Sequence, residues 1–201
     1  MSLHREAEDH LKKSCPTLRP VIERVGPCGL EPDANLFGVL VRAIVSQLIS
    51  TAAARTITAR LLKVLKGPIT PGRVLKREPE ELRACGLSNA KVKAIRHLAE
   101  HFQTNKSFAK DIAASDDAAA RELLLPLPGI GPWTVEMTLM FGLVRPDVLP
   151  VGDLGLRAGV RELFNLPDLP DAKALQTLAE PWRPYRTVAT WYVWKRSNSQ
   201  L

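Results

Sequence analysis

Apolar residues recur along the chain at three- and four-residue spacing, and the strict apolar–polar alternation of a half-buried strand is nearly absent. The pattern therefore predicts an almost entirely helical, all-α protein. ANLFGVLVRAIVSQLIS (34–50) is apolar nearly all round, as a helix at the centre of a fold would be. TAAARTITARLLKVLKG (51–67) reads as a helix closed by a glycine cap at Gly67. EPEELRACG (78–86) and LSNAKVKAIRHLAEHF (87–102) form a helix–turn–helix in which Gly86 ends one helix and Ser88 caps the next. DDAAARELLLP (116–126), a tight turn and WTVEMTLMFGLV (133–144) predict helix, hairpin, helix. RPDVLPVG (145–152) is a proline-containing loop and DLGLRAGVRELFN (153–165) a further helix, after which DAKALQTLAEPW and RPYRTVATWYVWKR close the chain. No low-complexity tract or solenoid period interrupts this order.

Composition narrows the class. A chain of 201 residues with 45% hydrophobic content suits one domain, or two small lobes, with a buried core. Lys and Arg number 28 against 21 Asp and Glu, and the formal charge of +7 favours a polyanionic partner. Cys15, Cys28 and Cys85 are widely spaced and form no C-x-x-C pair, which argues against a disulfide framework and a zinc site. The N-terminus is charged from its fourth residue and no apolar run approaches membrane-spanning length. A soluble intracellular protein with no membrane partner is expected, cytoplasmic in a bacterium or nuclear in a eukaryote. His97 and His101 stand at i, i+4 and could hold zinc, although a solvated basic face is the simpler reading; His4 and His10 have no partner spacing.

The chemistry concentrates in LPLPGIGPWTVEM (125–137). Gly129 and Gly131 lack Cβ, so the chain can turn sharply and a partner can approach its amides. A helix beginning at about Pro132 would aim unpaired N–H groups at that turn, which makes a site for an anion, above all phosphate. The stretch is either a tight turn between helices or a helix-hairpin-helix whose Gly129, Gly131 and Thr134 amides hold a DNA backbone phosphate, a contact that positions without reading sequence. Asp153, between the proline loop and the next helix, is likewise either an N-cap or a carboxylate kept ionised by the helix dipole for catalysis. Asp147 reads as a solvated loop carboxylate. Trp133, Trp182, Tyr185, Trp191, Tyr192 and Trp194 are core candidates, yet Trp133 on the first turn after the hairpin is a flat surface on which a flipped base could stack. Lys91, Lys93 and Arg96 either serve solubility or face a second DNA strand.

LPGIGPWTVEM, Asp153 after its proline loop, VRAIVSQLIS, LRACGLSNAKVKAIRHLA and PWRPYRTVATWYVWKR together resemble the helix-hairpin-helix-Gly/Pro-Asp superfamily of DNA glycosylases over residues 30–196. The likeness is greatest to the alkylation-repair branch, the 3-methyladenine DNA glycosylase II type. The resemblance implies a two-lobed helical glycosylase fold, treated as a single domain over 1–201, with the hairpin motif at about 116–144 lying at the mouth of a cleft. It makes Asp153 the catalytic residue, Leu48 the wedge that fills the gap left by an extruded nucleotide, and Trp133 and Trp191 pocket aromatics. Met137 and Leu154 stand where some relatives place pocket tyrosines. The carbonyls of Leu125, Leu127 and Ile130 match positions that hold a structural sodium or potassium ion. Bifunctional members carry a lysine two residues after the second hairpin glycine; here that position is Trp133. No cysteine follows Cys85, so the four-cysteine iron–sulfur cluster of other members is not expected, and too few residues precede the shared region for the β-rich N-terminal domain of some bacterial relatives.

The expected function is that of a monomeric, monofunctional glycosylase requiring no cofactor. It would excise 3-methyladenine, and secondarily 7-methylguanine, from double-stranded DNA in base excision repair. Two alternatives stay open: a glycosylase for ethenoadenine, hypoxanthine or an oxidised purine, and a non-catalytic DNA-binding protein that uses the hairpin only to dock.

Overall fold

The computed structural model describes residues 3–198, and the described residues contain helices and turns but no β-strand, as the periodicity predicts. In chain order the helices are α1 (Leu3–Ser14), α2 (Arg19–Val25), α3 (Leu36–Ser46), α4 (Thr51–Leu65), α5 (Pro71–Leu75), α6 (Pro79–Ala84) and α7 (Asn89–Thr104). They continue with α8 (Phe108–Ala114), α9 (Asp117–Leu124), α10 (Pro132–Phe141), α11 (Leu154–Leu163), α12 (Ala172–Leu178) and α13 (Arg186–Asn198), with a 3₁₀ turn at Glu180–Trp182. The chain divides into two compact units. One runs from Pro32 to Leu143; the other combines the segment through Glu31 with everything from Val144 onward.

The 32–143 unit is built round α3. Nine of its residues, including Phe37, Val41, Ile44 and Val45, are buried, and it packs against α4, α7 and α10. Side-chain caps fix where its helices begin. Asn35 accepts from the Gly38 amide, Ser50 from Ala53, Ser88 from Lys91 and Asp116 from Ala119, each satisfying an N–H that the helix leaves unpaired. Pro71, Pro79 and Pro132 occupy first-turn positions where a missing N–H costs nothing. The expected Gly67 cap is refined: Lys66 takes the left-handed conformation first, at φ +53°, and Gly67 follows it.

One boundary departs from the sequence expectation. The apolar run 34–50 is not one helix: α3 stops at Ser46 and a turn through Gln47, Leu48 and Ile49 leads to Ser50, which starts α4. Hydrophobicity cannot mark this break, because Leu48 is as apolar as the buried Leu40 and Ile44 yet fully exposed, at φ +57°.

In the other unit α13 is central, packing on α1, α2 and α11. Ala7 and Leu11 of α1, Val160 of α11 and Ala189, Tyr192 and Val193 of α13 are buried in a common core with Trp182. The Tyr192 hydroxyl, 2.8 Å from the Gly26 carbonyl and 3.0 Å from Glu8 Oε1, ties the end of α2 to α1; Glu8 Oε1 also accepts from the Cys28 amide at 2.7 Å. Burial pushes the Tyr192 phenol up from its ordinary value, with the Glu8 carboxylate adding to the effect, and pushes the Cys28 thiol up to about 11. Cys15, Cys28 and Cys85 are all buried free thiols.

Candidate functional site

The hairpin between α9 and α10 is a tight backbone turn in which the Leu127 amide bonds the Leu124 carbonyl and the Ile130 amide bonds the Leu127 carbonyl, each at 3.1 Å. Gly129 has φ +80°, and a Cβ there would lie 2.5 Å from the Ala94 Cβ of α7, so both conformation and packing demand glycine. Gly131 differs. It has an ordinary extended backbone at φ −110°, and a Cβ would meet no protein atom within 4 Å. The fold has no use for glycine at 131; a partner that must approach the backbone closely would. Gly131 is also the N-cap of α10 and offers no side chain to cap that helix.

Thr134, whose amide is the expected phosphate donor, lies in the first turn of α10. It is buried, and its hydroxyl accepts from Gln47 Nε2 at 2.8 Å; the same Gln47 nitrogen donates to the Gly129 carbonyl at 3.0 Å. Leu127 and Ile130 are buried while Leu125 is exposed. The carbonyls of these three are hard, neutral oxygen donors of the kind sodium and potassium accept, and that of Leu127 keeps a lone pair beyond its bond to Ile130. The donor chemistry thus fits a monovalent cation. Among the described residues no cluster of three or more His, Cys, Asp or Glu side chains could hold a metal.

Asp153 sits where the sequence puts it, at the N-cap of α11. Its Oδ1 accepts from the Leu156 amide at 2.5 Å and from the indole Nε1 of Trp194 at 3.1 Å. Capping and chemistry are therefore compatible, since both bonds to Oδ1 hold the carboxylate in one place. The proline loop before it is fastened to α13. Arg186 donates from Nε and one terminal nitrogen to both oxygens of Asp147, Arg183 adds a bond at 2.8 Å, and the buried Thr187 hydroxyl meets the Arg145 carbonyl and the Val148 amide. Asp147 is thus not the solvated loop carboxylate expected from sequence. Arg183 in the loop before α13 and Arg186 at its first position bind it, and the same helix reaches Asp153 through Trp194.

The remaining predicted residues differ in exposure. Trp133 is half-buried on the first turn of α10. Met137 lies in the core of its unit at 6% exposure, whereas Leu154 stands out at 61%. Trp191 is half-buried, edge-on to Tyr192, with Lys195 Nζ 5.1 Å from its ring centroid. Of the basic residues after Gly86, Lys93 is exposed. Lys91 instead donates to the Val45 and Gln47 carbonyls at 2.8 and 2.9 Å, its pKa lowered by burial, and Arg96 donates to the Arg77 carbonyl. His101 packs edge-on against Phe108 rather than forming a solvated face. Sequence reasoning missed Gln47 and Trp194 as site residues, and missed that Lys91 bonds the end of α3. Trp194 carried a faint signal, since it stands three residues after Trp191 on one helix.

Residues 41–184 match the family described as HhH-GPD superfamily base excision DNA repair protein. The chain belongs to that superfamily. Within it, the HhH-GPD chain is 32% identical to DNA-3-methyladenine glycosylase 1 of Schizosaccharomyces pombe, the alignment spanning 96% of this chain and 87% of that one. It is 30% identical to the alkylbase DNA glycosidase-like protein mag2 of the same yeast, over 96% and 93% of the two chains. The solved structure of S. pombe 3-methyladenine DNA glycosylase (Mag1) in complex with abasic DNA superposes with a TM-score of 0.85 at 31% identity, covering 96% of this chain and 97% of that one. The fold of this chain is thus shared with a solved protein named as a 3-methyladenine DNA glycosylase.

Proposed function

We propose that the chain is a monofunctional DNA glycosylase that hydrolyses the N-glycosidic bond of alkylated bases, 3-methyladenine first and 7-methylguanine second. The observation that supports this most is the near-full-length likeness to the Mag1 protein solved with abasic DNA, at a TM-score of 0.85. Methylation at N3 or N7 makes the base cationic, so it leaves as a neutral molecule and needs little acid assistance. The main task left to the protein is to stabilise positive charge developing on the sugar, and Asp153, fixed by Leu156 and Trp194, is the carboxylate for it. Trp133 and Trp191 supply aromatic faces that attract an electron-deficient ring, Leu154 an exposed apolar contact and Met137 a buried wall. Leu48 fills the space the extruded base vacates. The amides at Gly129, Gly131 and the start of α10, where Thr134 lies, hold a backbone phosphate, and the carbonyls of Leu125, Leu127 and Ile130 would hold a sodium or potassium ion beside it. That ion would be structural; no iron–sulfur cluster takes part. The protein acts as an intracellular monomer on double-stranded DNA, and no described helix is long and apolar enough to cross a membrane.

Mass spectrometry of bases released from methylated genomic DNA tests the reading. Free 3-methyladenine should appear, the strand should remain intact at the abasic site, and borohydride during turnover should trap no covalent complex, because Trp133 occupies the position of the lyase lysine. Release of ethenoadenine, hypoxanthine or oxidised purines in place of methylated bases would move the substrate class, and no release at all would leave a DNA-docking protein.

A further inference from the structure

We infer that Gln47 and Lys91 form a brace that makes the Leu48 turn and the glycine hairpin a single preorganised element, with Gln47 the positioning residue for the wedge. The inference rests on the DNA-binding reading above and deepens it. Four observations carry it. Leu48 is fully exposed at φ +57°, a left-handed conformation that a leucine adopts only when its surroundings impose it. Lys91 donates to the carbonyls of Val45 and Gln47 on either side of the end of α3, supplying donors where the broken helix has none and arresting the turn just before Leu48. Gln47 reaches across to the hairpin and bonds the Gly129 carbonyl and the Thr134 hydroxyl with one amide nitrogen. Ala94, one helical turn after Lys91 on α7, is the surface against which Gly129 closes. The wedge turn and the phosphate-holding turn, joined by a Gln47–Gly129 bond that spans 82 residues of sequence, therefore rest on the same helix and are pinned to each other.

The consequence is functional. A flexible Leu48 would lose conformational freedom on entering the duplex, whereas a wedge already fixed relative to the phosphate grip does not bear that loss at the moment of binding. Gln47 makes this contribution without touching DNA.

Two measurements on the whole chain test it. In the free protein, the amide order parameter at residue 48 should be near 0.85 in wild type and fall below about 0.6 in Gln47→Ala and in Lys91→Met. In a double-mutant cycle on a duplex carrying a tetrahydrofuran abasic analogue, Gln47→Ala should weaken binding about tenfold, the order expected for two modest hydrogen bonds. In the Leu48→Ala background the same change should have an effect within twofold of none, because there is no wedge left to position. Gln47→Ala removes no charge, so the slope of affinity against salt should not move. Additive losses, or an unchanged order parameter in both variants, would overturn the brace. Wild-type protein that binds the analogue no better than intact duplex would instead overturn the functional reading, and the order parameters would still decide whether the brace exists.

Discussion

Asp153→Asn separates a helix cap from a catalytic charge, because the structure lets the cost of each be worked out. Asp153 Oδ1 accepts two hydrogen bonds, from the Leu156 amide and from Trp194 Nε1. The amide oxygen of asparagine can accept both, and Asn caps helices about as well as Asp, so the fold should change by less than about 0.5 kcal/mol. Asp153→Ala removes the acceptor of both bonds. Loss of the cap costs about 0.5–2 kcal/mol and the abandoned indole N–H about 1 more, roughly 2 kcal/mol together. For a chain of this size that is a fall in melting temperature of about 4–8 °C. The catalytic loss follows the opposite pattern. Asparagine keeps the geometry and removes the negative charge, and deleting one preorganised electrostatic group typically costs about 10²–10³ in rate. Single-turnover release of 7-methylguanine is the assay, since its bond is less labile than that of 3-methyladenine and exposes the loss more fully. Affinity for an abasic analogue should persist or rise slightly, as a carboxylate repels phosphate. An asparagine variant with wild-type melting and near-wild-type release would confine Asp153 to capping. Asp147, bound by Arg183 and Arg186, could not take over the role without breaking that clamp.

Three further outcomes follow from the same geometry. Leu48→Ala removes a side chain that is fully exposed, so its melting temperature should match wild type while abasic-analogue binding falls; a loss of the 2–5 kcal/mol typical of core leucines would refute the wedge assignment. Gly131→Ala should fold normally and bind DNA poorly, whereas Gly129→Ala should lose more than about 1 kcal/mol of stability from its left-handed backbone and the contact with Ala94; equal melting curves for the two would contradict the distinction. The Cys28 thiol, pushed up to about 11 from 9.0, ionises more readily in the unfolded chain, so its contribution to stability is intact below pH 9 and declines as pH rises towards 11; urea midpoints of wild type and Cys28→Ala should converge over that range, and curves that stay parallel would refute it.

What could be read from the sequence was local. The caps at Ser88 and Asp153, the proline that opens α10 and the Gly129 turn are each decided within four residues of themselves, and all stand where the pattern puts them. The charged N-terminal segment proved to be α1, whose apolar positions Ala7 and Leu11 are too few to stand out among its charges, while α5 and α8, of five and seven residues, are too short for periodicity to register. The larger departures share a physical origin. The break after Ser46, the clamp on Asp147 and the indole bond to Asp153 are made by partners 36 to 46 residues away in sequence: Lys91 for the Val45 carbonyl, Arg183 for Asp147 and Trp194 for Asp153. A lysine donating to helix-end carbonyls and a lysine facing DNA have the same local pattern, as do a solvated aspartate and one gripped by arginines. Only the fold distinguishes them. Here the distant partners fall on α7, behind the hairpin, and on α13 with the loop that leads into it, behind the carboxylate, so each chemical group rests on a scaffold segment that contributes little reactive chemistry of its own. Substitutions on those two helices at Lys91, Ala94, Arg186 or Trp194 should therefore alter how the chemical groups are held, and disturb function, even at positions that never meet the substrate.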